Sequence, residues 1–137
     1  MMIEVNYMAV LVAAVASFIV GFVWYHPKVF GAMWMKLVNV TPDMTERAKK
    51  NMLQSMTIAA LSAIVTAYVL AHFVAAWGAA NIMDAVQLGF WAWFGFQTPI
   101  ILGRVLWEMK SWNLFFLNGA YWLVSSIVIA VVLVWFQ

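Results

Sequence analysis

The sequence predicts an all-α membrane protein in which four transmembrane helices are joined by short loops. Hydrophobic residues make up 67% of its 137 residues and charged residues 9%, so too few polar side chains are present to cover a water-soluble domain. Nine Trp, ten Phe and four Tyr are typical of bilayer proteins, which concentrate such rings near the lipid headgroups. Four apolar runs are each long enough to cross a hydrocarbon core of about 30 Å.

The first predicted helix covers about residues 7–25, a run without charge. Pro27 should end it, because proline cannot donate to the helical hydrogen-bond ladder and disfavours a helical conformation in the preceding residue. The following stretch, residues 28–40, mixes apolar side chains with Lys28 and Lys36. It is too short to span a bilayer, so we expect a segment that lies in the membrane interface between helices one and two.

The second predicted helix covers about residues 43–77 and ends near Gly78. Asp43 and Glu46, three residues apart, fit a capping box at its start. The apolar character of the run is interrupted only by hydroxyl groups and a few larger polar side chains. The run therefore reads as one continuous helix with a charged first part and a membrane-spanning second part.

The third predicted helix covers about residues 82–107 and should bend at Pro99, and the fourth covers about residues 113–136. All four helices are expected to form a single transmembrane domain, residues 1–137. Similar Pro, Gly, Trp and Lys spacings begin at Pro27 and at Pro99, which indicates a two-helix internal repeat as a further prediction.

Small residues recur at every fourth position in the first two predicted helices, which is the pattern that lets helices approach closely in lipid. We expect these faces to act as packing seams, although alanine is common in apolar spans and some fourfold spacing arises by chance. The seam residues are Ala9, Ala13, Ser17 and Gly21 in helix one and Ala59, Ala63, Ala67, Ala71 and Ala75 in helix two.

The basic residues predict orientation, because Lys and Arg are retained on the cytoplasmic side of a membrane. All seven lie after helix one or around the end of helix three. We therefore expect a multi-pass protein of the cell's inner membrane with both termini outside and segments 26–51 and 108–113 in the cytoplasm. This placement favours the lipid bilayer as partner and gives no reason to expect nucleic acid.

No catalytic or metal-binding pattern is present in the sequence. Cysteine is absent, and the chain has no nucleophile–base pair, carboxylate dyad, Gly-rich phosphate loop or paired-His zinc motif. Ten Met do not fall at ligand spacing, and methionine is a common filler of apolar packing. We expect no enzyme activity, no cofactor and no bound metal.

Motifs near both ends of the chain resemble a known family. The first is Gly21-x2-Trp24-Tyr25-x-Pro27-x2-Phe30-Gly31-x2-Trp34-Met35-Lys36, and the later ones are Leu106-Trp107-Glu108 and Leu117-Asn118-Gly119-x-Tyr121. They resemble the small bacterial membrane proteins grouped as domain of unknown function 1761. The resemblance extends over essentially the whole chain, and it implies the four-helix architecture without implying an activity.

Helix depth predicts one pocket facing the cytoplasm, which would suit a lipid headgroup or an amphiphilic small molecule. The alternative is an ordinary aromatic belt with helix-end hydrogen bonds, in which Arg104 and Glu108 pair with each other. The predicted aromatic wall is Trp24, Tyr25, Phe30, Trp34 and Trp107, and the predicted polar floor is Arg104, Glu108, Asn118 and Tyr121.

Helix three carries more polar side chains than the other spans. We expect Asp84, Gln87, Gln97 and Arg104 to lie along one polar stripe, as a channel or transporter would require. On the opposite side of the membrane from the pocket, His72 should reach Gln87 in a hydrogen bond, and as an intramembrane ionisable group it could instead relay a proton with Asp84.

Three functions are compatible with these features. A structural or accessory subunit, joining copies of itself or a larger membrane complex through its seams, needs the fewest assumptions. An oligomeric channel or transporter would use the helix-three stripe. A lipid-binding or amphiphile-binding protein would use the aromatic pocket, and the direction in which the helix-three side chains point discriminates between the three.

Overall fold

The computed structural model describes residues 3–137, which are mainly helical and contain no strand, and this confirms the all-α class. Met1 and Met2, part of the predicted domain, lie outside the described residues. Two π-helical turns, Pro27–Gly31 and Trp93–Gln97, precede α2 and α6. The α-helices are α1 Tyr7–Trp24, α2 Ala32–Val38, α3 Pro42–Lys50, α4 Met52–Trp77, α5 Ile82–Ala92, α6 Thr98–Leu106 and α7 Trp112–Trp135.

In the described part of the chain, three helices are long and apolar enough to cross a membrane: α1, α4 and α7. Large apolar side chains remain exposed along them, including Ile19 at 57% and Val65 at 61%, which is the surface that lipid would cover. The predicted span at residues 82–107 consists instead of α5, a π turn and α6, and none of these segments alone reaches that length.

The helix predicted over residues 43–77 is divided at Asn51, whose backbone leaves the helical region at φ −103° and ψ 14°. The predicted capping box at Asp43 is wrong, because the helix cap lies two residues earlier. Thr41 is the cap, and its hydroxyl accepts a hydrogen bond from the Met44 amide at 3.2 Å. Pro42 then occupies the first helical turn, where its missing N–H costs nothing.

A bend is predicted at Pro99, and the structure instead changes its helix type in the turn before this residue. Proline lacks the N–H that would continue the α-helical ladder, and residues 93–97 adopt the wider π-helical pairing. The backbone amide of Thr98 donates to the Trp93 carbonyl, and the Thr98 hydroxyl donates to the same oxygen at 3.1 Å. The helix is therefore wider directly before Pro99.

The segment predicted to lie in the membrane interface, residues 28–40, consists mainly of a π turn and a short helix. Pro27 starts a π turn in which the Gly31 amide donates to the His26 carbonyl at 2.9 Å. The α2 helix follows and ends at Asn39, which adopts the left-handed conformation with φ 59°. Two short helices, α2 and α3, thus separate α1 from α4.

Helix α7 is central, and it contacts α1, α4, α5 and α6. Its contact with α5 is close: a Cβ atom added to Gly89 would lie 2.7 Å from the Ile127 Cα atom. At the other end of the bundle, the Asn6 side chain accepts from the first amides of α1 and donates to the Phe136 carbonyl at 3.0 Å. The start of α1 is therefore tied to the end of α7.

The predicted packing seams are buried over only part of their length. The seam residues with less than 5% exposure are Ala9, Ala13, Ser17 and Ala67. Ala63 and Ala71 are partly buried against the same core. Ala59 and Ala75 are exposed, and they show that the seam of α4 is not in contact along the whole helix.

Candidate functional site

The first half of α4 separates from the bundle and leaves a cavity. Ala67, Leu70 and Val74 in its second half are buried, whereas residues 52–62 are almost all exposed. A cavity of about 480 Å³, here called the inner cavity, opens between this first half of α4, the second half of α1 and α7. It lies toward the end of the bundle where segment 25–51 joins α1 to α4, and this end carries the basic residues.

The inner cavity combines apolar walls with many hydroxyl groups. Apolar surface comes from side chains such as Phe18, Phe22, Met56 and Ile129. Among the described residues, none with an ionisable acid or base in the Asp, Glu, Lys, Arg and His set lines it. The polar lining residues are Ser17, Tyr25, Ser62, Thr66, Gln97, Tyr121, Ser125 and Ser126.

Several of these polar groups are already hydrogen-bonded within the protein. The Ser17 hydroxyl donates to the Ala14 carbonyl and the Thr66 hydroxyl to the Ser62 carbonyl, both at 2.9 Å. Such bonds to the preceding turn are how hydroxyl side chains are accommodated in apolar helices. The Ser126 hydroxyl donates to Gln97 Oε1 at 3.0 Å, which connects α7 to the π turn before α6.

Tyr25 closes the inner cavity toward the basic end. Its hydroxyl donates to Asn118 Oδ1 at 2.7 Å, and its ring lies 5.1 Å from that of Tyr121 and 6.1 Å from that of Trp34, measured between centroids. Trp24 packs on Phe30 with the ring centroids 4.6 Å apart. The residues of the predicted pocket that the structure brings together are therefore Trp24, Tyr25, Phe30, Trp34, Asn118 and Tyr121.

A second depression, here called the surface groove, lies on the other side of Tyr25. It has a volume of about 410 Å³ and is formed by the loop after α1, by α2 and by α7. Tyr25 and Trp122 line both the inner cavity and the surface groove. The tight turn that builds the groove needs glycine, because a Cβ atom at Gly31 would lie 2.8 Å from the His26 carbonyl carbon.

Three residues predicted for the pocket are not part of it. Trp107 is 82% exposed at the end of α6. Arg104 and Glu108 are exposed and lie 3.5 Å apart, N to O, as the i,i+4 pair considered from the sequence. Arg104 lies in the last turn of α6 and Glu108 just after it, both on the exposed surface, so the predicted polar floor is wrong except for Asn118 and Tyr121.

The predicted polar stripe of helix three is also wrong. The rotations about the helix axis between successive residues of the predicted stripe accumulate. At about 100° per residue, Gln97 lies about 140° around the helix from Asp84. Gln87 and Arg104 are exposed, whereas Gln97 lines the inner cavity. The Asp84 carboxylate accepts from the Ala80 amide at 3.0 Å, so it stabilises the turn that begins α5.

The predicted hydrogen bond between His72 and Gln87 is not formed. His72 Nδ1 lies 2.9 Å from the Tyr68 carbonyl oxygen, one turn earlier in the same helix. The His72 and Tyr68 rings also pack edge to face with centroids 4.7 Å apart. Gln87 is exposed, and no hydrogen bond joins the two side chains in the described structure.

The sequence analysis does not identify the serine and threonine hydroxyl groups of α4 and α7 that line the inner cavity. Ser62 and Thr66 are four residues apart on α4, and Ser125 and Ser126 come from α7. Each pair alone is ordinary for an apolar helix. The site exists because hydroxyl groups from three helices line the space that α4 leaves where it separates from the bundle. This arrangement cannot be recognised from the sequence of one helix at a time.

The fold and the cavity define a class of protein: a helical protein with three helices long and apolar enough to cross a membrane, and a cavity among them whose described lining carries no Asp, Glu, Lys, Arg or His. A family model described as protein of unknown function (DUF1761) matches residues 8–134. The chain therefore belongs to this family, as its motifs indicate. No curated protein matched the chain, and no solved structure matched it.

Proposed function

We propose that this protein binds a small amphiphile, a lipid or lipid-like molecule, in the inner cavity. The observation that carries the proposal is a cavity of about 480 Å³ that is lined by apolar, hydroxyl and amide groups. Ligand sites are typically concave, mostly apolar, about 300–1,000 Å³ in volume and provided with a few convergent polar groups. A membrane-dissolved ligand matches both this composition and the surroundings of the cavity.

Access from the membrane supports a ligand of this kind. Ala59 and Ser62 line the inner cavity and are themselves exposed, because the first half of α4 is not packed against the bundle. An apolar chain can therefore enter from the lipid beside α4 without crossing water. The aromatic cluster around Tyr25 covers the end of the cavity nearest the basic residues.

The proposal includes a topology for the chain. Residues 82–106 are long enough together to form a fourth crossing, since about 20 residues span the hydrocarbon core. With four crossings and the basic end in the cytoplasm, both termini lie outside, and the inner cavity lies in the cytoplasmic leaflet. The same arrangement places the surface groove at the cytoplasmic face of the membrane.

The amphiphile proposal has more support than an accessory-subunit function. The best packed seam alanines, Ala13 and Ala67, have no exposed surface and are used within one chain. Ala59, an exposed seam residue, borders the inner cavity. The dispersed polar groups of α5 and α6 likewise give little support to a water-filled path.

A photo-reactive monoacylglycerol, with a diazirine in its acyl chain, tests the proposal in purified protein reconstituted into phospholipid vesicles. We expect labelling on residues that line the inner cavity. Ala59→Phe places a bulky ring in the cavity from an exposed position. It should reduce this labelling by about tenfold, because the acyl chain of the probe then competes with the Phe ring for the same space.

Ala76→Phe is the matched control, since Ala76 is also an exposed alanine of α4 but lies far from the inner cavity. It should leave labelling of the cavity unchanged. Labelling spread evenly over the lipid-facing surfaces, and equal in both variants, would exclude the inner cavity as the binding site.

A further inference from the structure

We infer that the ligand is an uncharged amphiphile with a carbonyl oxygen, and that the Gln97 carboxamide is the donor that selects it. This inference rests on the proposed function and adds the chemical class of the ligand. It follows from the hydrogen-bond inventory of the inner cavity and from the absence of charge in its described lining.

Gln97 presents a donor to the inner cavity. Its Oε1 atom accepts from the buried Ser126 hydroxyl at 3.0 Å, which fixes the plane and direction of the carboxamide. The two N–H groups on Nε2 make no hydrogen bond to a described residue. In an environment without bulk water, an unused donor of this kind favours a ligand that supplies an acceptor.

Three of the hydroxyl groups of the inner cavity offer a ligand acceptors and no donor. The protons of Ser17, Thr66 and Ser126 are donated to the protein itself. Ser62 on α4 also lines the cavity, and its hydroxyl, which has no hydrogen bond to a described side chain, can donate or accept. A ligand that places a carbonyl oxygen at Gln97 Nε2 and a hydroxyl group toward these oxygens, as a monoacylglycerol can, therefore matches both kinds of group.

The position of Gln97 depends on the π turn. Gln97 is the last residue of the turn that Pro99 imposes, and it stands between α5 and α6 where the helix is wider. Single π turns inside helices occur frequently at functional sites, because they redirect one side chain without ending the helix. Here the redirected side chain is the one that crosses to α7 and lines the cavity.

The described lining of the inner cavity has no charged side chain, and this disfavours ionic amphiphiles. The lining contains no basic residue for a phosphate, sulfate or carboxylate and no acidic residue for an ammonium group, among the residues that the structure describes. An unpaired charge in an apolar site is strongly disfavoured. The rings of Tyr25, Tyr121 and Trp122 could attract a quaternary ammonium group, so a cationic probe belongs in the test.

The test compares four probes with the same oleyl chain by native mass spectrometry of the purified protein. They are 1-oleoylglycerol, its 1-O-alkyl ether analogue without the carbonyl, oleyl sulfate and oleyltrimethylammonium. We expect the ester to bind about tenfold more tightly than the ether, the size expected for one hydrogen bond to a group that otherwise stays unpaired. Both ionic probes should bind more weakly than the ester.

Gln97→Met keeps the length of the side chain and removes the amide, so it should abolish the preference for ester over ether. Equal binding of ester and ether by the wild-type protein overturns the inference, and so does tight binding of an ionic probe. Both measurements use the wild-type protein, so neither depends on whether a variant folds. If ester and ether bind the wild-type protein equally and Ala59→Phe weakens both, the proposed function is intact and its carbonyl specificity is removed. Binding that Ala59→Phe does not affect excludes the site itself.

Discussion

Tyr25 lies between the inner cavity and the surface groove. Its ring separates the inner cavity from the surface groove, and its hydroxyl is held by Asn118 at 2.7 Å. Gly21, one turn earlier, leaves room for this packing, because a Cβ atom there would lie 3.1 Å from the Tyr121 hydroxyl. The ring is thus fixed from α7 by one hydrogen bond and one aromatic contact.

The hydrogen bond between Tyr25 and Asn118 should contribute measurably to stability. We expect a double-mutant cycle of Tyr25→Phe and Asn118→Ala to give a coupling energy of about 0.6 kcal/mol, the average for side-chain hydrogen bonds between membrane helices. The measurement is reversible unfolding in mixed micelles with increasing SDS.

Tyr68→Phe provides the control for that cycle, because the Tyr68 hydroxyl is exposed and has no hydrogen bond within the described chain. It should change the free energy of unfolding by less than Tyr25→Phe does. A coupling energy indistinguishable from zero would show that the Tyr25–Asn118 bond does not hold α1 to α7.

The aromatic part of the site was predictable from sequence because its members lie at recognisable helix ends. Trp24 and Tyr25 precede a proline, and Asn118 and Tyr121 follow a charged turn, so depth in the membrane could be estimated for each. The prediction for Trp107 is wrong for the same reason: its position in the sequence suits the expected depth, but its side chain is exposed at the end of α6. Depth does not determine which way a side chain points.

At the scale of elements, the crossing of α5 and α7 depends on Gly89. The Cβ atom of any other residue would approach the Ile127 Cα atom to 2.7 Å and the Ser126 carbonyl oxygen to 3.0 Å. Backbone atoms cannot move aside as a flexible side chain can, so the helices would have to separate. Such close approach over a small residue is the usual basis of helix association in lipid.

Gly89→Ala should destabilise the protein by about 1–3 kcal/mol, the cost of overpacking a tight contact, although alanine is the better helix former. Gly119→Ala is the matched control, because a Cβ atom at Gly119 in α7 has nothing within 4 Å. That variant should be neutral or up to about 1 kcal/mol more stable. SDS unfolding of both variants checks this, and equal stabilities would contradict the close crossing.

The element boundaries show what local sequence rules predict and what they miss. The ends near Pro27 and Gly78 are predictable, because proline and glycine stop helices. The break at Asn51 is not, because asparagine is tolerated inside helices and no glycine or proline is adjacent. The π turn before Pro99 was likewise read only as a bend, since π pairing has no sequence signature of its own.

At the scale of the whole molecule, the central position of α7 explains why one end is closed and the other contains a cavity. Near its end, α7 packs on α1 and α4 through Ile129, Ala130 and Leu133, which are almost completely buried. Nearer its start, α7 faces the separated half of α4 across the inner cavity. Sequence alone gave the number and length of apolar runs but not this divergence, which is a property of three helices together.

The topology can be mapped because the chain contains no cysteine, so single cysteines can be introduced without a background. Ala80→Cys lies between α4 and α5 and Lys49→Cys lies in α3, both at exposed positions. With the basic end in the cytoplasm, we expect a membrane-impermeant maleimide to label Ala80→Cys in intact cells and to label Lys49→Cys only after lysis.

Ser111→Cys, in the turn between α6 and α7, decides whether residues 82–106 cross the membrane. If they cross, this position is protected in intact cells, as Lys49→Cys is, because an odd number of spans separates it from Ala80. If Ser111→Cys and Ala80→Cys are labelled together from outside, the stretch containing the π turn does not cross, and the inner cavity would then be bounded by three spans and a re-entrant segment. Gln97 would still line it, but the leaflet from which a ligand enters would no longer follow from the basic residues.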